Sequence, residues 1–185
     1  MNPRNVLILP GWQGSGPAHW QSRWERAYGY TRLEQHDWMR PLRGDWIARL
    51  EDVLLSCDEP AVLVAHSLGC QHVAAWAAHS RNTHLVRAAL LVAPPDVERD
   101  DVRALLPSWS PVARISLPFE TRLFASSNDP FCSPARTCEF AAAWGAEVMD
   151  AGPCGHLNAD SGLGDWREAH EHLLQLMRDT SADPF

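Results

Sequence analysis

The chain of 185 residues contains no lysine: all 16 of its basic residues are arginine. A lysine Schiff-base enzyme, a Walker A phosphate loop and a Ser-Lys dyad each need a lysine amine, so all three are excluded. The bias matches arginine-rich coding in a GC-rich genome. Basic charge is also outnumbered. Against 23 acidic residues it leaves a net charge of −7, which argues against a nucleic-acid binder, where a basic face is the rule. Long apolar runs are missing too. None approaches the roughly 20 residues of a membrane span. Met1-Asn2-Pro3-Arg4-Asn5 leads into only four apolar residues, without the long apolar core of a signal peptide. The five cysteines (Cys57, Cys70, Cys132, Cys138, Cys154) are odd in number and form no C-x-x-C pair. Scattered thiols of this kind fit a reducing compartment, so a cytoplasmic location is expected, with no membrane contact.

The remainder is ordinary for a soluble globular protein, with 45% hydrophobic and 21% charged residues. The length predicts one domain over 1–185 with a sizeable core, and a frayed tail at 180–185. No repeat, linker or low-complexity segment interrupts it. Apolar runs at 6–9, 61–65, 88–93 and 122–126 read as strands, with shorter ones at 31–34 and 147–149. Between them lie helical patterns over 18–28, from Gly44-Asp45 through Leu54, after Ser67, and over 101–106, 134–144 and 165–177. Strands alternating with helices predict an α/β fold with about six mostly parallel strands. In such sheets, function gathers just beyond the carboxyl ends of the strands.

The most telling run is Val62-Leu-Val-Ala-His-Ser-Leu-Gly69. A buried strand reaches Ser67, and an alanine-rich helix follows at once. Small residues, Ala65 and Gly69, stand two places to either side. This is the pattern of a nucleophile elbow, G-x-S-x-G with alanine at the first glycine. The turn is so tight that only small side chains leave room, and it lifts the hydroxyl clear of the sheet. A serine before a helix is otherwise often a plain N-cap.

Other strand ends complete a constellation. Asp129 follows the fifth strand and His156 follows the sixth, giving the chain order Ser, Asp, His of an α/β-hydrolase triad. His156 would take the Ser67 proton and return it to the leaving group, while Asp129 holds the imidazole in the right tautomer. Asp129 before Pro130 also fits a turn residue, and Asp96, just past the fourth strand, is its rival as the carboxylate. An oxyanion needs two aimed N–H donors. Leu68 offers one, and Trp12 in the glycine-rich loop after the first strand the other, with Gly11 as the alternative.

Histidines outside the triad read as packing or surface residues, although His66 stands where it would line the mouth of the site. His170-Glu171-His172 is too closely spaced for two ligands on one helix face. Asn158 to Gly162 lacks the ligand spacing and terminal Glu of a calcium loop. No metal and no cofactor are expected.

Five segments resemble the small serine hydrolases of the retinoblastoma-binding protein 9/YdeN family. They are Leu-Pro-Gly-Trp-Gln-Gly-Ser-Gly (9–16), Ala-His-Ser-Leu-Gly (65–69), Ser-Ser-Asn-Asp-Pro-Phe (126–131), Trp-Gly-Ala (144–146) and Cys-Gly-His-Leu-Asn-Ala-Asp-Ser-Gly-Leu-Gly-Asp-Trp (154–166). They span nearly the whole chain in order. The resemblance implies a compact α/β-hydrolase fold, with the family's triad on Ser67, Asp129 and His156. Leu55-Ser-Cys57-Asp-Glu59 matches the L-x-C-x-E pocket-protein motif. Leu55 continues the apolar face of a helix, however, and a helix end is poorly presented as an extended peptide, so no partner is expected there.

Residues 94–120, where hydrolases insert a lid, are few, which predicts an open, shallow site. Most of the nine tryptophans read as packing helices on the sheet, with Trp12 and Trp109 expected at the site. The expected substrate-binding residues are therefore Gly11, His66 and Trp109. The expected activity is hydrolysis of a carboxylic ester or amide of modest size through an acyl-enzyme on Ser67. The rival is a catalytically idle hydrolase fold that serves as a protein-binding module.

Overall fold

Six strands form, the central ones from buried apolar runs and the edge ones short and partly polar: β1 (Val6–Leu9), β2 (Thr31–Arg32), β3 (Ala61–His66), β4 (Val86–Val92), β5 (Glu120–Ala125) and β6 (Glu147–Asp150). They are seen in a computed structural model that describes residues 5–180. All five pairings are parallel, in the order β2-β1-β3-β4-β5-β6. The helices are α1 (Trp20–Tyr28), α2 (Arg43–Leu55), α3 (Leu68–His79), α4 (Asp100–Leu105), α5 (Pro134–Trp144) and α6 (Arg167–Asp179). The chain runs outward from β1 to β2, then crosses back over β1 to β3 and continues the other way. The carboxyl ends of β1 and β3 thus form the switch point, where a parallel sheet opens a crevice.

Side-chain alternation along the strands builds two apolar layers. Val6 and Ile8 meet Trp20 and Trp24 of α1 and Leu173 of α6 on one face. Leu7 and Leu9 meet Trp46 and Leu50 of α2 on the other, in a layer that extends to Trp144 of α5. The alanines of α3 keep that helix close to the sheet, and ten of its residues are buried. Buried tryptophans also tie down loops through their indole N–H. Trp20 donates to Leu157 O at 2.8 Å and Trp144 to Ala113 O at 2.8 Å.

The segment between β4 and β5 is held by an ionic clamp. Glu98 takes Arg114 at 2.5 Å, pairs with Arg136 and accepts from the Val112 amide. Hydrogen bonding to Arg114 holds the Glu98 carboxyl down at about 2. The 94–120 stretch is thus an ordered wall carrying α4.

Several element bounds shift by one or two residues from the sequence expectation, among them β4, β5, α1 and α4, and two shifts have a clear local cause. The edge strand stops at Arg32 because β1 ends at Leu9, and Pro10 has no N–H to extend the ladder. The last helix begins at Arg167 because Trp166 takes a positive φ of 39°. Thr180, expected in the frayed tail, caps α6 with its amide on Leu176 O and Arg178 O. Residues 181–185 lie outside the described residues, as do residues 1–4 of the expected leaderless start. Among the described residues no helix is long and apolar enough to cross a membrane.

Candidate active site

Ser67 joins β3 to α3 with φ 54° and ψ −124°, a strained backbone that puts the side chain at the apex of the turn. It stands at the N-cap position of α3, yet its hydroxyl makes no cap bond. Oγ lies instead 2.8 Å from His156 Nε2. The small residues around it have a measurable reason. A Cβ on Gly69 would lie 2.3 Å from Leu9 O, inside any tolerable contact with β1. A Cβ on Gly11 would lie 2.8 Å from Ser67 Cβ and 3.2 Å from Leu68 N. The loop after β1 therefore passes directly beside the serine, and Gly11, Trp12 and Leu68 all line the cleft around it.

The carboxylate of Asp129 meets His156 Nδ1 through both oxygens, at 3.0 and 2.9 Å. The two side chains are only 3% and 9% exposed. A carboxylate can only accept at this position, so Nδ1 carries the proton and Nε2 presents its lone pair to the Ser67 hydroxyl. Asp96 is committed elsewhere. It pairs with Arg136 Nε at 3.3 Å and accepts from the Glu98 amide.

Several residues the sequence did not single out hold this line together. Asn128 Oδ1 accepts from Gly155 N at 2.6 Å and from Ser126 Oγ at 3.0 Å, and Ser126 Oγ accepts from Cys154 N at 3.0 Å. The loop bearing Asp129 is thereby laced to the loop bearing His156. The available signal was their place at the end of β5, immediately before Asp129. Gln21, wholly buried, donates to Leu9 O at 3.3 Å and Val64 O at 3.1 Å, satisfying carbonyls at the switch point. His66 does line the cleft, and it is also a strut. Its Nε2–H donates to the backbone carbonyl of His156 at 2.9 Å. A carbonyl only accepts, which fixes this tautomer. Burial pushes the imidazole well below its ordinary pKa, so it stays neutral.

One expectation is corrected. Trp109 does not reach the cleft. Its ring is 1% exposed, packs 5.4 Å from Trp46 and donates to Pro41 O at 2.7 Å. With both ring and N–H satisfied inside, the core holds it more favourably than an open wall would. That wall is instead made by Val102, Leu105, Leu106 and Phe131. Leu105 is 60% and Phe131 41% exposed, large apolar surface beside the serine.

The cleft encloses about 400 Å³. Among the described residues, no arginine, aspartate or glutamate lines it. Residues 158–162 form a turn in which Asn158 caps Asp160 and Ser161. No group of three or more His, Cys, Asp or Glu side chains among the described residues is arranged to hold a metal ion.

A half-buried hydroxyl-imidazole-carboxylate line at a parallel-sheet switch point suits acyl transfer, and the comparisons agree with that chemistry. The chain is similar in structure to a protein from Pectobacterium atrosepticum described as a YdeN-like hydrolase. Identity is 28%, with 95% of this chain and 91% of that one covered, and the TM-score is 0.83. The ydeN gene product of B. subtilis shares 20% identity over 94% and 98% of the two chains, with a TM-score of 0.74. Thermogutta terrifontis esterase 2 shares 16% identity over 97% and 85%, with a TM-score of 0.67. The last two speak to the α/β-hydrolase fold alone. No curated protein matches the sequence. The serine hydrolase family model matches residues 6–175, and the chain belongs to that family.

Proposed function

We propose that the protein hydrolyses an uncharged carboxylic ester of modest size, or the corresponding amide, through an acyl-enzyme on Ser67. The observation that carries this reading is the hydrogen-bonded line from Ser67 Oγ to His156 Nε2, with Asp129 on Nδ1. Ser67 Oγ attacks the carbonyl carbon and its proton passes to His156 Nε2. Negative charge gathers on the former carbonyl oxygen, where the amides of Leu68 and Trp12 receive it. His156 returns the proton to the leaving oxygen or nitrogen, and the C–O or C–N bond breaks. Water then attacks the acyl-enzyme with His156 as base, releasing the acid and restoring Ser67. Asp129 stabilises the imidazolium in both halves.

The apolar wall of Val102, Leu105, Leu106 and Phe131 supports an aliphatic or aromatic group on one part of the substrate. The finer resemblance to retinoblastoma-binding protein 9 carries no partner function in this reading. Leu55 ends α2, and Cys57 Sγ is tied back to Val53 O at 3.4 Å, so the L-x-C-x-E stretch is wound rather than extended. A cytoplasmic setting belongs to the same reading, supported by five free thiols.

The test is turnover of p-nitrophenyl butyrate by the purified full chain. Saturable release of p-nitrophenol is expected, with kcat in the ordinary enzyme range of about 1–10³ per second. Release no faster than buffer would favour the idle, protein-binding alternative. A parallel series of thioesters and amino-acid amides sorts esterase, thioesterase and peptidase outcomes.

A further inference from the structure

Phe131 has no chemical step in the reaction above, yet it stands next to the groups that carry it out. Its ring is 41% exposed and lines the cleft that contains Ser67. The ring centroid lies 4.6 Å from that of His156, at an interplanar angle of 68°. Polar contacts fix the backbone around it. The Phe131 amide donates to Asp129 Oδ1 at 2.9 Å, and the Phe131 carbonyl accepts the Asp96 amide at 2.9 Å. Arg99, the N-cap of α4, donates through Nη1 to Pro130 O at 2.8 Å. The turn that carries Asp129 therefore holds an aromatic ring in the open, beside the imidazole that Asp129 orients. Apolar surface left in water on the wall of a cleft marks a place that a ligand covers.

The stereochemistry of acyl transfer selects the part of the substrate that can cover it. Once Ser67 Oγ has added to the carbonyl, the tetrahedral carbon carries three other groups. The oxyanion turns to its N–H donors. The leaving oxygen has to come within about 2.6–3.2 Å of His156 Nε2, because that atom returns the proton to it as the C–O bond breaks. The acyl chain takes the direction that remains. Only the leaving group is thus obliged to lie beside the imidazole, and its body then comes within reach of the Phe131 ring. Aromatic rings pair favourably edge-on or offset, with centroids about 4.5–7 Å apart. A ring one methylene beyond the leaving oxygen meets that condition.

We propose that Phe131 is a specificity-determining residue for the leaving group, and that the substrate is an ester of a bulky apolar alcohol, with a benzyl-type group packed on the Phe131 ring. The inference rests on the ester-hydrolase reading and adds a direction to it: apolar bulk belongs on the alcohol side of the scissile bond. A ring that only shielded the His156–Asp129 pair from water would act on every ester alike. A ring that binds the leaving group changes the ranking of alcohols and spares the ranking of acyl groups.

Phe131→Ala removes the ring and keeps the backbone amide that bonds Asp129. The measurement is kcat/KM on wild type and variant, which covers acylation, the half of the reaction in which the alcohol leaves. On the alcohol side, benzyl butyrate is compared with ethyl butyrate. On the acyl side, ethyl butyrate is compared with ethyl acetate. Intrinsic reactivity cancels when each ratio is compared between the two proteins. The expected result is that the benzyl/ethyl ratio falls by about tenfold in Phe131→Ala, while the butyrate/acetate ratio agrees within about twofold. Phe131→Leu keeps an apolar cover over the imidazole and carries the same test if the alanine variant does not fold, with a fall of about threefold expected. A benzyl/ethyl ratio that agrees within about twofold would overturn the proposal and leave Phe131 a cover for His156. A butyrate/acetate ratio that falls at least as far would overturn it too, and move the ring to the acyl side. So would a wild type that turns over p-nitrophenyl butyrate but none of these three esters. A wild type that turns over none of the four instead overturns the hydrolase reading itself.

Discussion

Ser67→Ala lowers kcat/KM for p-nitrophenyl butyrate by about 10⁴-fold or more, a loss of about 5 kcal/mol of transition-state stabilisation. Alanine keeps Cβ, so the elbow with its φ of 54° and the close passage of Gly11 need not change. What disappears is the one oxygen 2.8 Å from His156 Nε2. His156 then has no side-chain nucleophile to deprotonate and can act only on water. Residual activity reflects the oxyanion donors and binding alone. Retention of more than about a tenth of the wild-type rate would mean that the hydroxyl is not the attacking group.

Asp129→Asn lowers kcat by about 10³–10⁴-fold, whereas Asp96→Asn leaves it within a few-fold. In wild type, Asp129 takes Nδ1–H on both carboxylate oxygens. An amide there can turn its NH₂ toward Nδ1, which favours the tautomer with the proton on Nε2. That ring cannot accept from Ser67. Asp96 reaches only Arg136 and the local backbone, and Arg136 retains Glu98 and Glu139 without it. Steady-state kinetics on both variants distinguish the two carboxylates. Equal losses, or a larger loss at Asp96, would reassign the orienting role.

The elbow was legible because its constraints are local. A β-branched run, a serine and small residues two places to either side leave few other turns, and Gly69 against Leu9 O shows why glycine is needed there. The order Ser, Asp, His was legible because each residue follows a strand that its own apolar run reveals. Trp109 was not. In a proline-rich stretch without periodicity, nothing in the sequence says which way an indole turns, and here Pro41 O, far away in the chain, decides it. His66 and Asn128 act through backbone atoms of a loop 90 and 27 residues downstream. Strands and the nucleophile are written in neighbouring residues, whereas the supports of the histidine loop are written in the fold.

The most direct test is to treat the full-length protein with a fluorophosphonate and map the adduct by mass spectrometry. Such reagents phosphonylate a serine only when its oxygen is made nucleophilic by a neighbouring base. The account predicts one adduct per chain, on the peptide containing Ser67, and none on Ser67→Ala. An unlabelled wild type, or labelling undiminished in Ser67→Ala, would contradict it.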